Sequence, residues 1–172
     1  MARPPLVAVC GPGEAGAEEE RLAQEVGRLL AERGAVVLCG GLGGVMAAAA
    51  RGASDAGGLC VGLLPGEDAE AAAPAVGLAI PTGLGELRNG VLVRACAGVV
   101  AIGGAYGTLS EIAFALRLGR PVVGIGTWEL HRAGAAAPDP GVRVVGSPAE
   151  AVDAVLTAIA TQTRPRRGTV TE

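Results

Sequence analysis

Residues 102-IGGAYGTLSE-111 set Gly103, Gly104 and Gly107 ahead of a helical pattern, then Thr108 and, three positions on, Glu111. Bare backbone at a helix start turns free N–H groups and the positive dipole end toward an anion, and Thr108 adds a hydroxyl donor. These are the parts of a phosphate cradle. Thr108-x-x-Glu111 also has the spacing of a capping box, in which Glu111 only reaches back to a backbone N–H. The acid is divided between cap and functional carboxylate. A carboxylate close to a phosphate is repelled by it, so a functional Glu111 faces the sugar end of a ligand rather than its phosphate.

Two further glycine-rich turns offer similar backbone. In 40-GGLGG-44 four of five positions are glycine, ahead of the small-residue run 45-VMAAAARGA-53. Gly41, Gly43 and Gly44 are read as ligand contacts on that ground. The segment 11-GPGEAG-16 matches G-x-G-x-x-G, but Glu14 and 18-EEE-20 would repel a pyrophosphate, and no acid closes the second strand to take a ribose hydroxyl. The match is read as coincidental, with Gly11 kept as pocket backbone. Trp128, in the loop 127-TWELHRAGAAAPDPG-141, is read as a ring that stacks on a flat ligand ring, or as part of a lid. His131 has no partner ligands at metal-site spacing, so no metal is expected. The chain has no lysine at all, which excludes a pyridoxal Schiff base.

These turns need a scaffold, and the remaining pattern supplies one. Short Val-rich runs at 6–10, 35–39, 59–64, 76–80, 98–102, 121–125 and 142–145 read as strands. Between the first two, Leu22, Val26, Leu29 and Leu30 repeat at helical spacing and Gly34 stops the helix. A second helix is expected to start near Leu109, and a third after Ser147, with Pro148 and Glu150 completing a capping box. The β-α-β order predicts an α/β, Rossmann-like, doubly wound and mostly parallel sheet with helices on both faces. Its ligands belong beyond the carboxyl ends of the strands.

Composition limits the partners. The chain has 172 residues, half of them hydrophobic, with one Trp, one Tyr and one Phe. One domain over residues 1–161 is expected, its core built from Val, Leu, Ile and Ala. Residues 162–172, with 164-RPRR-167, read as a disordered basic tail. A net charge of -3 gives no broad surface for nucleic acid. The apolar run 6-LVAVC-10 is too short for a signal peptide, and 34–50 falls short of a membrane span and is broken by glycines. Cys10, Cys39, Cys60 and Cys96 form no C-x-x-C pair and read as buried free thiols in a reducing cytoplasm.

The stretches 39-CGGLGGVMAAAARGA-53, 81-PTGLGELRN-89 and 101-AIGGAYGTLSEI-112 together resemble the LOG-like superfamily, long mislabelled as lysine decarboxylases. Its hallmark is P-G-G-x-G-T-x-x-E preceded by an arginine. The resemblance implies that Arg88 and Glu111 take the catalytic places, with Gly103, Gly104, Gly107 and Thr108 as the phosphate loop. Its known enzymes cleave nucleoside 5'-monophosphates to free base and ribose 5-phosphate. Two departures stand out: Ile102 replaces the hallmark proline, and Asn89 follows Arg88 where the hydrolases usually carry lysine. Both look more like the sister branch of molybdenum cofactor carrier proteins, which bind a phosphorylated pterin, and Asn89 joins the expected ligand contacts on this ground. Nucleotide hydrolysis is the reading taken forward, with a non-catalytic carrier or sensor as the alternative. No cofactor is required under either, and a homo-oligomer is implied.

Overall fold

The computed structural model describes residues 3–163. Seven strands form one sheet: β1 (Leu6–Cys10), β2 (Val36–Cys39), β3 (Cys60–Leu64), β4 (Leu78–Pro81), β5 (Gly98–Ile102), β6 (Val122–Ile125) and β7 (Val142–Val144). Their spatial order is β4-β3-β2-β1-β5-β6-β7, and every neighbouring pair is parallel. Five helices connect them: α1 (Ala17–Glu32), α2 (Gly44–Asp55), α3 (Arg88–Ala95), α4 (Tyr106–Arg117) and α5 (Pro148–Thr163). This is the α/β Rossmann-like architecture expected from the alternation of patterns. α5 runs two residues past the domain end read from sequence, and the rest of the basic tail lies outside the described residues.

Side-chain alternation divides the core in two. Val7, Val9 and Val37 face α1, α2 and α5, which contribute Val26, Leu30, Ala48, Val152 and Val155. Ala8, Leu38 and Val99 face α3 and α4, which contribute Leu92, Val93, Ile112 and Ala115. Strands covered on both faces need apolar residues at every position, which explains the unbroken apolar runs of β1 and β5. The expected cap at Ser147 forms with a shift. Ser147 Oγ accepts from the Glu150 N–H at 3.3 Å, but the Glu150 carboxylate accepts from Gly146 N–H at 3.0 Å, one residue further back than a capping box requires. Among the described residues no helix is long and apolar enough to cross a membrane.

The order in which successive strands are added reverses between the parallel strands β1 and β5, so the connections after them diverge. A crevice opens at such a point because the following connections leave to opposite sides. The turns after β2 and β5 both lie at this carboxyl edge, on either side of the turn after β1.

On one face, α1 and α2 touch through backbone. A Cβ at Gly27 would overlap the Ala49 carbonyl, and one at Gly52 would overlap the Gln24 carbonyl. Neither obstacle can rotate away as a side chain could. Gly52→Ala is expected to destabilise the fold by about 1–3 kcal/mol, the usual cost of overpacking. A thermal melt checks this, and an unchanged midpoint would show that the helices have slack.

Candidate functional site

A cavity of about 290 Å³ lies at the reversal point. Gly11, Pro12 and Gly13 after β1 form one border, and Leu42 and Met46 around the start of α2 form another. Arg88 and Asn89 at the start of α3 face Gly107, Thr108 and Glu111 of α4. Charged and polar groups are buried here: Arg88 is 8% exposed, Glu111 7% and Thr108 2%. Among the described residues, five buried side-chain polar atoms lack a hydrogen-bond partner, and three of them border this cavity: Arg88 Nε, Arg88 Nη1 and Thr108 Oγ1. Donors buried without acceptors are costly, so their convergence points to an oxygen-rich anion as their complement.

Arg88 keeps its place because residue 40 has no side chain: a Cβ on Gly40 would overlap the guanidinium. Asn89 Nδ2 donates to Ser110 Oγ at 3.0 Å, and that hydroxyl donates to the Gly107 carbonyl at 2.7 Å. This chain of bonds ties α3 to the first turn of α4.

The expected cap at Thr108 is corrected by the structure. Helix α4 starts at Tyr106 with Ala105 as its N-cap, so Thr108 is already the third helical residue and Glu111 lies a turn further in. Glu111 turns inward and hydrogen-bonds with Cys10 at the end of β1. Burial raises its pKa from the usual 4.5 to about 7, while the Cys10 hydrogen bond and the Arg88 charge pull it down.

The glycines sort into two groups. Gly11 and Gly107 border the cavity. Gly41, Gly43, Gly44, Gly103 and Gly104 shape the loops behind it. Gly41 has φ +77° and packs on Gly62 and Leu64, while Gly43 and Gly44 leave room for the backbone of Gly13. The Val45 N–H donates to the Pro12 carbonyl at 3.1 Å, so the start of α2 is partly closed by protein backbone. Gly103 has φ +62°, and its bare Cα lies under the Glu19 carboxylate. Glu19 also accepts from the Gly16 N–H at 2.9 Å, closing the start of α1 where a pyrophosphate would otherwise dock.

Trp128 lies on the outer side of the loop before α4. Its indole packs on Gly104, donates from Nε1 to the Ala105 carbonyl at 3.2 Å and lies 5.7 Å from the Tyr106 ring. The ring braces the outer side of the loop and is not part of the cavity border. His131 contacts Glu129 at 2.7 Å on an exposed loop. Sequence reasoning missed Gly40, Cys10, Met46 and Glu86. Glu86, two residues before Arg88, did carry a signal as a charge in a glycine-rich turn.

A family model, the SLOG cluster4 family, matches residues 4–152 and so takes in every element that borders the cavity. The chain belongs to the SLOG cluster4 family. Within reach of this SLOG cluster4 protein is an uncharacterised protein of Archaeoglobus fulgidus, 42% identical over 119 residues, which are 69% of this chain and 78% of that protein. Among solved structures it resembles the molybdenum cofactor binding protein of the phototrophic bacterium Rippkaea orientalis, at TM-score 0.82 and 34% identity over 92% of this chain and 99% of that one. It also resembles the molybdenum cofactor carrier protein of Chlamydomonas reinhardtii, at TM-score 0.80 and 34% identity over the same shares. This SLOG cluster4 chain is a LOG-like superfamily member near the molybdenum cofactor carrier branch.

The shifted pKa of Glu111 makes a signed prediction. A carboxyl whose pKa rises on folding takes up a proton, so its contribution to stability falls as pH rises from about 4.5 to about 7. Glu111→Gln should remove that decline, seen as a flatter dependence of thermal midpoint on pH. Cys10→Ala removes a donor that lowers the folded-state pKa and should extend the decline to higher pH; Cys10→Ser should end it at lower pH. Identical profiles for all four proteins would mean that Glu111 does not titrate in this window.

Proposed function

We propose that the cavity binds a small phosphorylated heterocycle, and that the chain carries or stores a phosphorylated pterin of the molybdenum cofactor type. The observation behind this is the pair of buried, unpartnered donors on Arg88 and Thr108 beside the start of α4. A phosphate there would accept from Arg88 Nε and Nη1, from Thr108 Oγ1 and from first-turn N–H groups of α4, with the helix dipole adding to the attraction. The two cofactor-binding relatives support the ligand class, since each aligns over 99% of its length. Ile102 and Asn89 lean the same way: Ile102 is fully buried at the end of β5, in register with Ile125, and Asn89 is engaged with Ser110.

Glu111 favours a second reading, hydrolysis of a nucleoside 5'-monophosphate. A carboxyl with pKa about 7 is available in both protonation states near neutral pH. It could stabilise positive charge on the ribose, position water or protonate the departing base. Arg88 holds its protons too firmly to be the acid, so it fixes phosphate or polarises the base. Each role uses a side chain already at the cavity.

The apolar face of α3 and α4 supports a homo-oligomer. Leu87 is 76% exposed, with Val91 and Phe114 also exposed beside it on the two helices that present Arg88 and Glu111. A patch of that kind is usually covered by a partner, here a second copy.

Arg88→Ala should weaken binding of AMP and of a pterin phosphate by about 1.5–3 kcal/mol, the worth of a charge-assisted hydrogen bond, measured by calorimetry. Glu111→Ala should retain binding. If the wild type releases ribose 5-phosphate from bound AMP and Glu111→Ala does not, the hydrolase reading holds; if the wild type binds without release, the carrier reading does. Undiminished binding by Arg88→Ala would remove both. Light scattering should give a mass above one chain for the wild type and a lower mass for Leu87→Asp. A wild-type monomer at micromolar concentration would sink the oligomer.

A further inference from the structure

The two ends of the cavity differ in chemistry. Thr108 and the first turn of α4, which follows β5, border one end, and Arg88 reaches in over Gly40 after β2. Pro65, directly after β3, and Glu86 border the other end. In the strand order β3-β2-β1-β5 these ends are three steps apart, about 14 Å between strand tips. Side chains projecting inward shorten that gap to one that an extended phosphorylated heterocycle crosses.

The backbone before Glu86 is pinned to the turn after β3. The Thr82 N–H and Oγ1 donate to the Leu64 carbonyl at 3.1 and 2.7 Å. The Gly83 N–H donates to the Gly66 carbonyl and the Gly85 N–H to the Pro65 carbonyl, each at 2.9 Å. Gly85 takes φ +55°, a conformation that suits glycine, and opens a 3₁₀ turn over Gly85–Leu87. Residues two apart on such a turn point in different directions, so Glu86 and Arg88 reach the cavity without pairing. Among the described residues Glu86 makes no salt bridge.

A carboxylate accepts hydrogen bonds only, and it repels a phosphate. The complement of Glu86 is therefore a set of N–H donors at the far end of the ligand from its phosphate. Leu42, Met46 and Pro65 supply apolar surface beside it, and a thioether packs well against a ring. Ring edges differ in the donors they offer. The amino-oxo edge of a pterin or of guanine sets a ring N–H next to an amino group, two parallel donors that match two carboxylate oxygens. Hypoxanthine has the ring N–H alone. Adenine sets its amino group beside a bare ring nitrogen, whose lone pair a carboxylate repels. We propose that Glu86 reads the ring edge of the ligand and selects the two-donor edge shared by pterins and guanine over that of adenine. The inference rests on the phosphate reading of Arg88 and Thr108 and adds the ring class to it.

The test measures the affinity of the full chain for GMP, IMP, AMP and hydroxymethylpterin phosphate by calorimetry. GMP and the pterin phosphate are expected to bind about 10- to 100-fold more tightly than AMP, the worth of one charge-assisted hydrogen bond, with IMP between them. Whichever of the two binds more tightly identifies the ring, and either order satisfies the proposal. Glu86→Gln should bring AMP level with GMP or above it, since the amide oxygen accepts from the adenine amino group while its N–H donates to the ring nitrogen. A merely structural role would weaken all four ligands alike. Glu86 is exposed, so the thermal midpoint should not move. Equal wild-type affinities for GMP and AMP, or a preference unchanged in Glu86→Gln, overturn the ring reading while Arg88→Ala still weakens every ligand. Absence of binding, or binding indifferent to Arg88→Ala, overturns the phosphate site and the ring reading together.

Discussion

A guanidinium buried without a carboxylate to neutralise it is the constraint on which the rest of this site depends. Taking a charge out of water costs several kcal/mol unless other groups replace the lost solvation. Around Arg88 those groups are few: no salt bridge closes on it among the described residues, and Nε and Nη1 have no partner. The neighbouring geometry follows from accommodating it. Residue 40 is glycine because the guanidinium occupies the space of a Cβ. The Cys39 thiol is lowered chiefly by its hydrogen bond with Cys60, with the field of Arg88 adding to it, and the same field opposes the rise at Glu111. The proposed ligand phosphate would supply the counter-charge that the protein itself does not.

The same constraint bears on whether the site cuts or only holds. Glu111 is close enough to Arg88 to feel its charge, yet burial outweighs that attraction and its pKa is raised. Near neutral pH Glu111 is only partly ionised, so the cavity bordered by Arg88, Glu86 and Glu111 is less negative than a count of one Arg and two Glu implies. A protonated carboxyl is also a donor, and the ring edge of a pterin or purine offers acceptors. Under the hydrolase reading the same proton would be the one passed to the departing base.

Much of the scaffold was legible from sequence because both its signals are local. Apolar runs of four or five residues with helical spacing between them are enough to set a parallel sheet, and all seven strands fall within two residues of their expected bounds. The site was legible where glycine, arginine and acid cluster, and less so where packing decides. Thr108-x-x-Glu111 has the spacing of a cap, but α4 begins earlier, at Tyr106, where Trp128 Nε1 donates to the N-cap Ala105 carbonyl and the Glu19 carboxylate lies over Gly103. Those braces come from other elements and leave no mark in the local pattern. For the same reason Cys10 read as a plain buried thiol, though it is the side chain that hydrogen-bonds with Glu111. Gly40 was hidden among three neighbouring glycines, and only the position of Arg88 separates its role from theirs.

The backbone contact between α1 and α2 has a mechanical consequence. Where the two helices meet carbonyl to Cα, at Gly27 and Gly52, there are no rotamers through which to slide, so relative movement of α1 and α2 is resisted at those points. Since α2 carries Met46 and the turn before it carries Leu42, one jaw of the cavity is stiff. The opposite jaw is the eight-residue α3, joined to α4 through Asn89 and Ser110. Any opening large enough to admit a fused-ring ligand must be borne by that second jaw, whose outer surface carries Leu87, Val91 and Phe114. A second copy seated on those side chains would set the stiffness of the opening from outside, so that assembly and ligand exchange become one mechanical problem.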